Sequence, residues 1–298
     1  VMGNSIKKPL WLKLTIIFLC VVLGLCALVG GMIAYFRLSV KEYYNNSTPV
    51  FNIPALSKGL VPQGFAYDED NKWFITCGYM NDGSASSVYV VDRLTNKTVK
   101  GVKLYTDENT PFTGHCGGVA IYKNYIYIAG GSDCCIYVFD YAKLKTAKDG
   151  DKILLLGKVE TKSQNDNIRP SFVTVKGSRL YVGEFYRQSN YPTLDSHHLQ
   201  TPNGDFNNAL IVEFALSNLS YKDTYGINIA PKNAYSIPEK VQGMAIEDDR
   251  MYLSTSWGLG FSKILVYDIY KGSTEKKTIF DTDDITVYYM DNKNLVQT

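Results

Sequence analysis

Residues 62 to 105 read PQGFAYDEDNKWFITCGYMNDGSASSVYVVDRLTNKTVKGVKLY, four short apolar runs separated by polar turns. The runs PQGFAY, WFITCG, SVYVVD and VKGVKLY are rich in β-branched and aromatic residues, and runs of that kind bounded by turn formers are strands. The same order returns three more times. CGGVAI (116 to 121), PSFVTV (170 to 175) and VQGMAI (241 to 246) match PQGFAY, with Gly64, Gly118, Phe172 and Gly243 equivalent. Their spacings are 54, 54 and 71 residues, so the last interval carries an insertion. Second runs follow as YIYIAGG, LYVGEF and MYLSTS, and third runs as CIYVFD, LIVEFA and ILVYD. Asp92, Asp140 and Asp268 close three of the four third runs. Fourth runs are ILLLGKV, NAYSIP and KKTIFD, the last covering residues 276 to 281.

Four strands per fifty-odd residues, repeated in one order, describe a propeller blade that buries its faces only by stacking on neighbours. A sandwich does not reproduce one strand order at a fixed period. The predicted fold class is therefore all-β, a β-propeller with four-stranded blades, preceded by one transmembrane α-helix. Four blades fit between about residues 56 and 281, and the 23 tyrosines suit wide faces between them. Residues 285 to 298 (ITVYYMDNKNLVQT) read as the approach to another blade. A ring must close to hide its edges, so five or six blades are expected in the intact protein.

The transmembrane expectation comes from Leu14 to Phe36, twenty-three residues without a charge. At 1.5 Å per residue this crosses a hydrocarbon core of ~30 Å. It exceeds a usual signal-peptide core, and Ala27-Leu28-Val29 is no small-x-small cleavage site. Lys7, Lys8 and Lys13 precede it and Arg37, Lys41 and Glu42 follow, which predicts a cytoplasmic N-terminus. The expected organisation is a cytoplasmic tail at 1–13, an anchor at 14–36, a polar stalk at 37–50 and an extracytoplasmic propeller at 51–298. The location predicted is the cell membrane, single-pass, with the propeller outside.

A net charge of +2 over 298 residues, with acids and bases interspersed, disfavours a nucleic-acid partner. Four cysteines follow the anchor, and an oxidising compartment permits disulfides there; Cys77 with Cys116 is the candidate pair. Sequons stand at Asn45, Asn46, Asn96 and Asn218.

Repeats of the form QGFA, WFIT and SVYVVD resemble those of bacterial surface and secreted β-propellers, a broad set that includes YVTN-repeat, TolB-like and gluconolactonase-like proteins. The likeness spans about residues 56 to 281 and implies a fold more than an activity. Gluconolactonase-like enzymes hold a divalent metal near the axis on acidic and amide side chains. The matching positions here offer Gln63 and Gln242 and no acid, so neither a metal nor another cofactor is expected. Three histidines argue against the multi-histidine centre of amidating-lyase propellers.

In such a fold the starts of inner strands and the ends of second strands share one face. That places Gln63, His115, Arg169, Ser171 and Gln242 beside Tyr79, Ser132, Glu184, Tyr186, Ser256 and Trp257. The insert 187–208 overhangs the same face, and a polar mouth below a long loop is the default ligand site. Each residue also has a plainer reading. Gln63 and Gln242 can simply satisfy neighbouring backbone. His115 is either a general base or structural, and Arg169 either pairs with Glu184 or clamps a ligand carboxylate or phosphate. Trp257 is either a stacking platform or blade packing. His197 and His198 are expected to be solvated loop residues. A zinc site from His115 and the cysteines lacks paired-ligand spacing.

No G-x-S-x-G elbow, H-E-x-x-H or phosphate-binding glycine loop occurs. The leading expectation is a propeller that binds a small molecule, glycan or protein segment at its funnel, with Gln63, Tyr79, Arg169, Ser171, Tyr186, Gln242, Ser256 and Trp257 as contacts. A lactonase-like, lyase or glycan-processing enzyme using His115 and Glu184 is the alternative, and an envelope scaffold the third.

Overall fold

The computed structural model describes residues 9–217 and 219–298; Lys7, Lys8 and the sequon at Asn218 lie outside the described residues. The chain divides into two units, Val1–Asn52 and Ile53–Thr298.

In the first unit, helix α1 (Leu10–Ser39) starts after Pro9 and contains the expected span. None of its residues is buried within the protein. A helix that is apolar on all sides needs an apolar medium around it, and its 30 residues extend about 45 Å at the usual rise. It is long and apolar enough to be a membrane anchor or a signal sequence. The expected stalk contains a second short helix, α2 (Lys41–Asn46).

The second unit is built from strands that follow the repeat. Strands β1 (Leu60–Asp68), β2 (Trp73–Met80), β3 (Ser87–Asp92) and β4 (Lys97–Tyr105) pair antiparallel in that order. Strands β5 (Val119–Tyr122), β6 (Tyr125–Ala129) and β7 (Cys135–Asp140) do the same, and after helix α3 (Tyr141–Thr146) the meander closes with β8 (Lys152–Glu160). The third repeat supplies β9 (Phe172–Lys176) and β10 (Arg179–Gly183). A two-residue ladder of β11 (Leu199–Gln200) and β12 (Phe206–Asn207) lies within the insert, followed by β13 (Ala209–Leu216) and β14 (Ile227–Ile237). The remainder is β15 (Val241–Glu247), β16 (Arg250–Thr255), β17 (Lys263–Asp268), β18 (Thr274–Ile279), β19 (Thr282–Tyr289) and β20 (Leu295–Gln297).

The repeats do not stay separate at their outer edges. Strand β4 pairs parallel with β8, which fuses the first two meanders into one eight-stranded sheet. The third meander grows to six strands because β19 pairs parallel with β14 and carries β18 beside it. The fourth sheet has the order β15-β16-β17-β20. Two expectations for the C-terminal region are thereby corrected. The run at 276–281 does not complete the fourth repeat, and residues 285–298 do not approach a further one. Instead β18 and β19 extend the third sheet, and β20 is the edge strand of the fourth. The reason is burial: Ile279, Ile285, Val287 and Tyr289 face the core between the second and third repeats, where an apolar alternating strand finds its partner.

Both faces of the middle repeats are covered, and the alternation of side chains shows how. In β6, Ile126 and Ile128 join the cluster containing Ile75, Val88 and Val90 of the first repeat. Tyr127 and Ala129, on the opposite face, join Leu180, Val182 and Val212 of the third. Tyr181 and Ile211 then meet Met251, Leu253 and Tyr267 of the fourth. The inner strands β1, β5, β9 and β15 touch in succession, which makes the arrangement propeller-like. The outward face of the first repeat and that of the last are less covered, with Phe65 56% and Ile264 51% exposed.

The glycine of the repeat explains the close succession of inner strands. A Cβ on Gly64 would lie 2.6 Å from the backbone nitrogen of Val119, and one on Gly118 would lie 2.7 Å from that of Val173. The equivalent Gly243 has only its own sheet's Ser254 nearby, at 3.4 Å. The recurring aspartates have a local role. Asp140 accepts from the N–H groups of Ala142 and Lys143 as the N-cap of α3, and Asp92 accepts from Thr95 N–H at 2.7 Å in the following turn.

These contacts predict an asymmetry among equivalent glycines. Gly118→Ala should destabilise the protein by ~1–3 kcal/mol through overpacking, whereas Gly243→Ala should stay within ~0.5 kcal/mol. Urea unfolding of the two variants checks this, and equal losses would contradict the close-approach account.

Candidate functional site

The expected mouth residues stand near the ends of inner and second strands, in small groups with distinct partners. Gln63 and Gln242 are the unpaired residues of equivalent β-bulges, between Pro62 and Gly64 in β1 and between Val241 and Gly243 in β15. A bulge re-aims one side chain, and both glutamines border a cavity of about 400 Å³ between the inner strands. Phe172, Thr174, Met244 and Tyr252 also line it. Gln242 Nε2 donates to the Ser256 carbonyl at 3.3 Å.

His115 stacks on Tyr79 with ring centroids 4.6 Å apart. Partial desolvation pulls its pKa below the ordinary imidazole value, with no charged neighbour contributing. Ser171 Oγ accepts from Phe185 N–H at 3.2 Å, and Tyr186 meets His198 edge to face at 5.0 Å. Arg169 donates to the carbonyl of Pro192, 3.3 Å away in the insert. Neither an Arg169–Glu184 pair nor a His115–Glu184 contact forms among the described residues.

Glu184 instead belongs to a buried network that the sequence reading missed. Its Oε2 accepts from His197 Nδ1 at 2.9 Å and from Leu210 N–H at 3.1 Å, while Oε1 is buried without a hydrogen-bond partner. His197 Nε2 donates to Asp166 Oδ1 at 2.8 Å, and Asp166 Oδ2 accepts from Phe280 N–H at 2.9 Å. His197 is 0% exposed, so the expectation of a solvated loop residue is corrected. Its only signal in the sequence was an Asp-Ser-His-His run inside an insert; Asp166 lies 31 residues away. Desolvation opposes a charged imidazole here. Hydrogen bonds and Coulomb attraction from Asp166 and Glu184 overcome it and raise His197 to about 9. For Asp166, burial pushes upward, but the His197 hydrogen bond, the Phe280 N–H and the imidazolium charge hold its carboxyl below the ordinary value. With both ring nitrogens donating to carboxylates, neither remains for a metal.

The network pins the short helical turn Asp195–His197 of the insert against the second and third repeats. The start of the insert bends back through an isolated bridge between Arg187 and Tyr191. There the Arg187 guanidinium lies 4.3 Å from the centroid of the Trp257 ring, and Phe185 and Tyr191 each lie 5.9 Å from it. Trp257 is 38% exposed and opens onto a second cavity of about 370 Å³ at the end of the fourth sheet.

The cysteines take no part in a cross-link. Cys77 and Cys116, the candidate pair, are both free and buried, and Cys77 Sγ donates to the Cys116 carbonyl at 3.3 Å. Burial pushes the Cys77 thiol well up. Among the described residues no group of three or more His, Cys, Asp or Glu side chains is arranged to hold a metal.

No family model matches the sequence, and no curated protein matches it. Three solved structures are similar to the chain at a low level. Hydrazine synthase of Kuenenia stuttgartiensis is 13% identical with a TM-score of 0.36, over 70% of this chain and 65% of that one. Glutaminyl cyclase of Myxococcus xanthus is 8% identical with a TM-score of 0.41, over 77% and 71%. A luciferin-regenerating enzyme is 12% identical with a TM-score of 0.40, over 69% and 57%. Likenesses of this size assign no activity and no residue, and place the chain in none of the families its repeat resembles.

The His197 network has a pH signature. A raised histidine stabilises fully below its unfolded value of about 6.5 and loses that contribution as pH rises through about 9. Asp166, with a lowered pKa, stabilises above the ordinary carboxylate range and loses its contribution on acidification. Thermal stability should therefore peak between about pH 4 and 6.5 and decline toward 9. His197→Gln should cost ~3–5 kcal/mol, because two buried carboxylates lose their cation, and should flatten the alkaline decline. Melting curves from pH 4 to 10 test both; an unchanged alkaline limb in the variant would refute the assignment.

Proposed function

We propose that this chain is a membrane-anchored β-propeller built on a four-stranded repeat, with its N-terminus in the cytoplasm, that binds a ring-bearing small molecule or glycan at its loop face outside the cell. The single observation behind the binding assignment is the convergence at Trp257. The pinned insert brings Arg187 and Tyr191 from the third repeat onto an exposed tryptophan of the fourth, beside a cavity. Aromatic and arginine side chains gathered at a partly exposed concavity are the composition of recognition sites. Gln63, Tyr79, Arg169, Ser171, Tyr186, Gln242 and Ser256 belong to the same face and supply polar contacts around the mouth.

Helix α1 and the excess of lysine before it support the anchor and its direction. The chain's near-neutral charge supports a partner other than nucleic acid, and no cofactor enters this reading. An enzyme acting through His115 and Glu184 is the weaker reading, because Glu184 is buried and bound to His197, and His115 stacks on Tyr79 without an acid. A scaffold role would leave the Trp257 cavity without a use.

The test is a panel of soluble glycans and ring-bearing metabolites titrated against the full chain in nanodiscs. At least one class should bind, and Trp257→Ala should weaken it about tenfold, the equivalent of ~1.4 kcal/mol, without lowering the melting temperature. Binding indifferent to Trp257→Ala, or no binding across the panel, would remove this function.

A further inference from the structure

The second cavity has a charge character that narrows the ligand. Its walls include Lys240, Ser256, Trp257, Phe261, Lys263 and Leu265. Two rings and a leucine make the apolar part, while Ser256 and Thr255 add hydroxyls. Glu239 is the only acid lining it, and that carboxylate is in an ion pair with Lys240. The Lys263 side chain is exposed and forms no ion pair or hydrogen bond among the described residues. Arg187, which donates to Asn190 Oδ1, brings a further cation against the Trp257 ring. The cavity is thus net positive around an aromatic wall.

The loop between β16 and β17 allows this arrangement. Gly258 adopts a left-handed φ of +55°, which turns the chain immediately after Trp257, and Phe261 returns to the cavity wall three residues later. At about 370 Å³ the space lies toward the small end of ligand sites, which run from roughly 300 to 1,000 Å³. Roughly one or two six-membered rings fit such a volume.

Building on the binding function above, we infer that this cavity takes a carboxylate-bearing sugar, a uronate-type ring, with its face on Trp257 and its carboxylate on Lys263. A flat apolar wall suits the C–H face of a pyranose, and the hydroxyl groups of Thr255 and Ser256 suit its own hydroxyls. A lysine without a carboxylate partner is the element that a neutral sugar would leave unused. Charge-assisted hydrogen bonds exceed neutral ones, and a pair to an exposed lysine is weaker than a buried one, so a preference of about two- to fivefold is expected.

The experiment titrates the full chain in nanodiscs with two oligosaccharides of equal length, one ending in glucuronate and one in glucose. The uronate should bind about two- to fivefold more tightly, and the ratio should shrink as salt rises from 50 to 500 mM because exposed charge pairs are screened. Lys263→Gln should bring the ratio close to one, and Lys263→Arg should restore most of it. Melting temperatures of both variants guard against misfolding. Equal binding of the two sugars, or a preference that survives Lys263→Gln, overturns the inference and leaves the wider binding function standing. Failure of both sugars to bind overturns it too. The wider function then falls only if no other ligand class shows dependence on Trp257.

Discussion

Backbone lies against backbone at the inner edge of the sheets, where Gly64 meets Val119 and Gly118 meets Val173 with no room for a side chain. This close approach sets how tightly successive sheets pack around the inner strands. With the inner edges in contact, the faces behind them must interdigitate. The three apolar clusters are the result, each shared by one pair of neighbouring repeats. A middle sheet has no solvent face, so its strands alternate between two cores instead of between core and water.

The same packing gives the loop face firm support. Strand ends held by buried sheets are rigid supports, and the two bulges that turn Gln63 and Gln242 toward one cavity are built into those ends. The long insert needs its own anchor. It has one in His197, whose charged ring is held between Glu184 and Asp166 from different loops. A buried cation between two carboxylates is costly to break from either side, so the turn at 195–197 is fixed. Arg187 and Tyr191, earlier in the same insert, then stand against Trp257. The stability of the insert and the proposed recognition at Trp257 are thus coupled through one loop.

At the outer edges the logic differs. Free edges invite pairing, and here they pair with each other: β4 with β8, and β14 with β19. The hairpin β18–β19 caps the third sheet and sends Phe280 N–H to Asp166, so it also buttresses the His197 network. The fourth sheet recruits its edge strand, β20, from the last residues of the chain.

Local pattern was enough for much of this. The period-two runs, the turn residues after them and the glycine in each inner strand are properties of ten-residue windows, and they placed the strands of the first three repeats, the apolar helix and the mouth residues near strand ends. The sequence by itself also determined that no repeat can stand alone, since each presents two apolar faces. Which strand meets which was decided only in three dimensions. An alternating strand such as 282–289 pairs with any edge that offers a core, and its partner at 233–236 is invisible in its own residues. His197 is the sharper case. In sequence it is a polar residue in a polar insert. Its burial and its charge exist only because Asp166 and Glu184, distant in the chain, arrive on either side of it and make an imidazolium more stable there than in water.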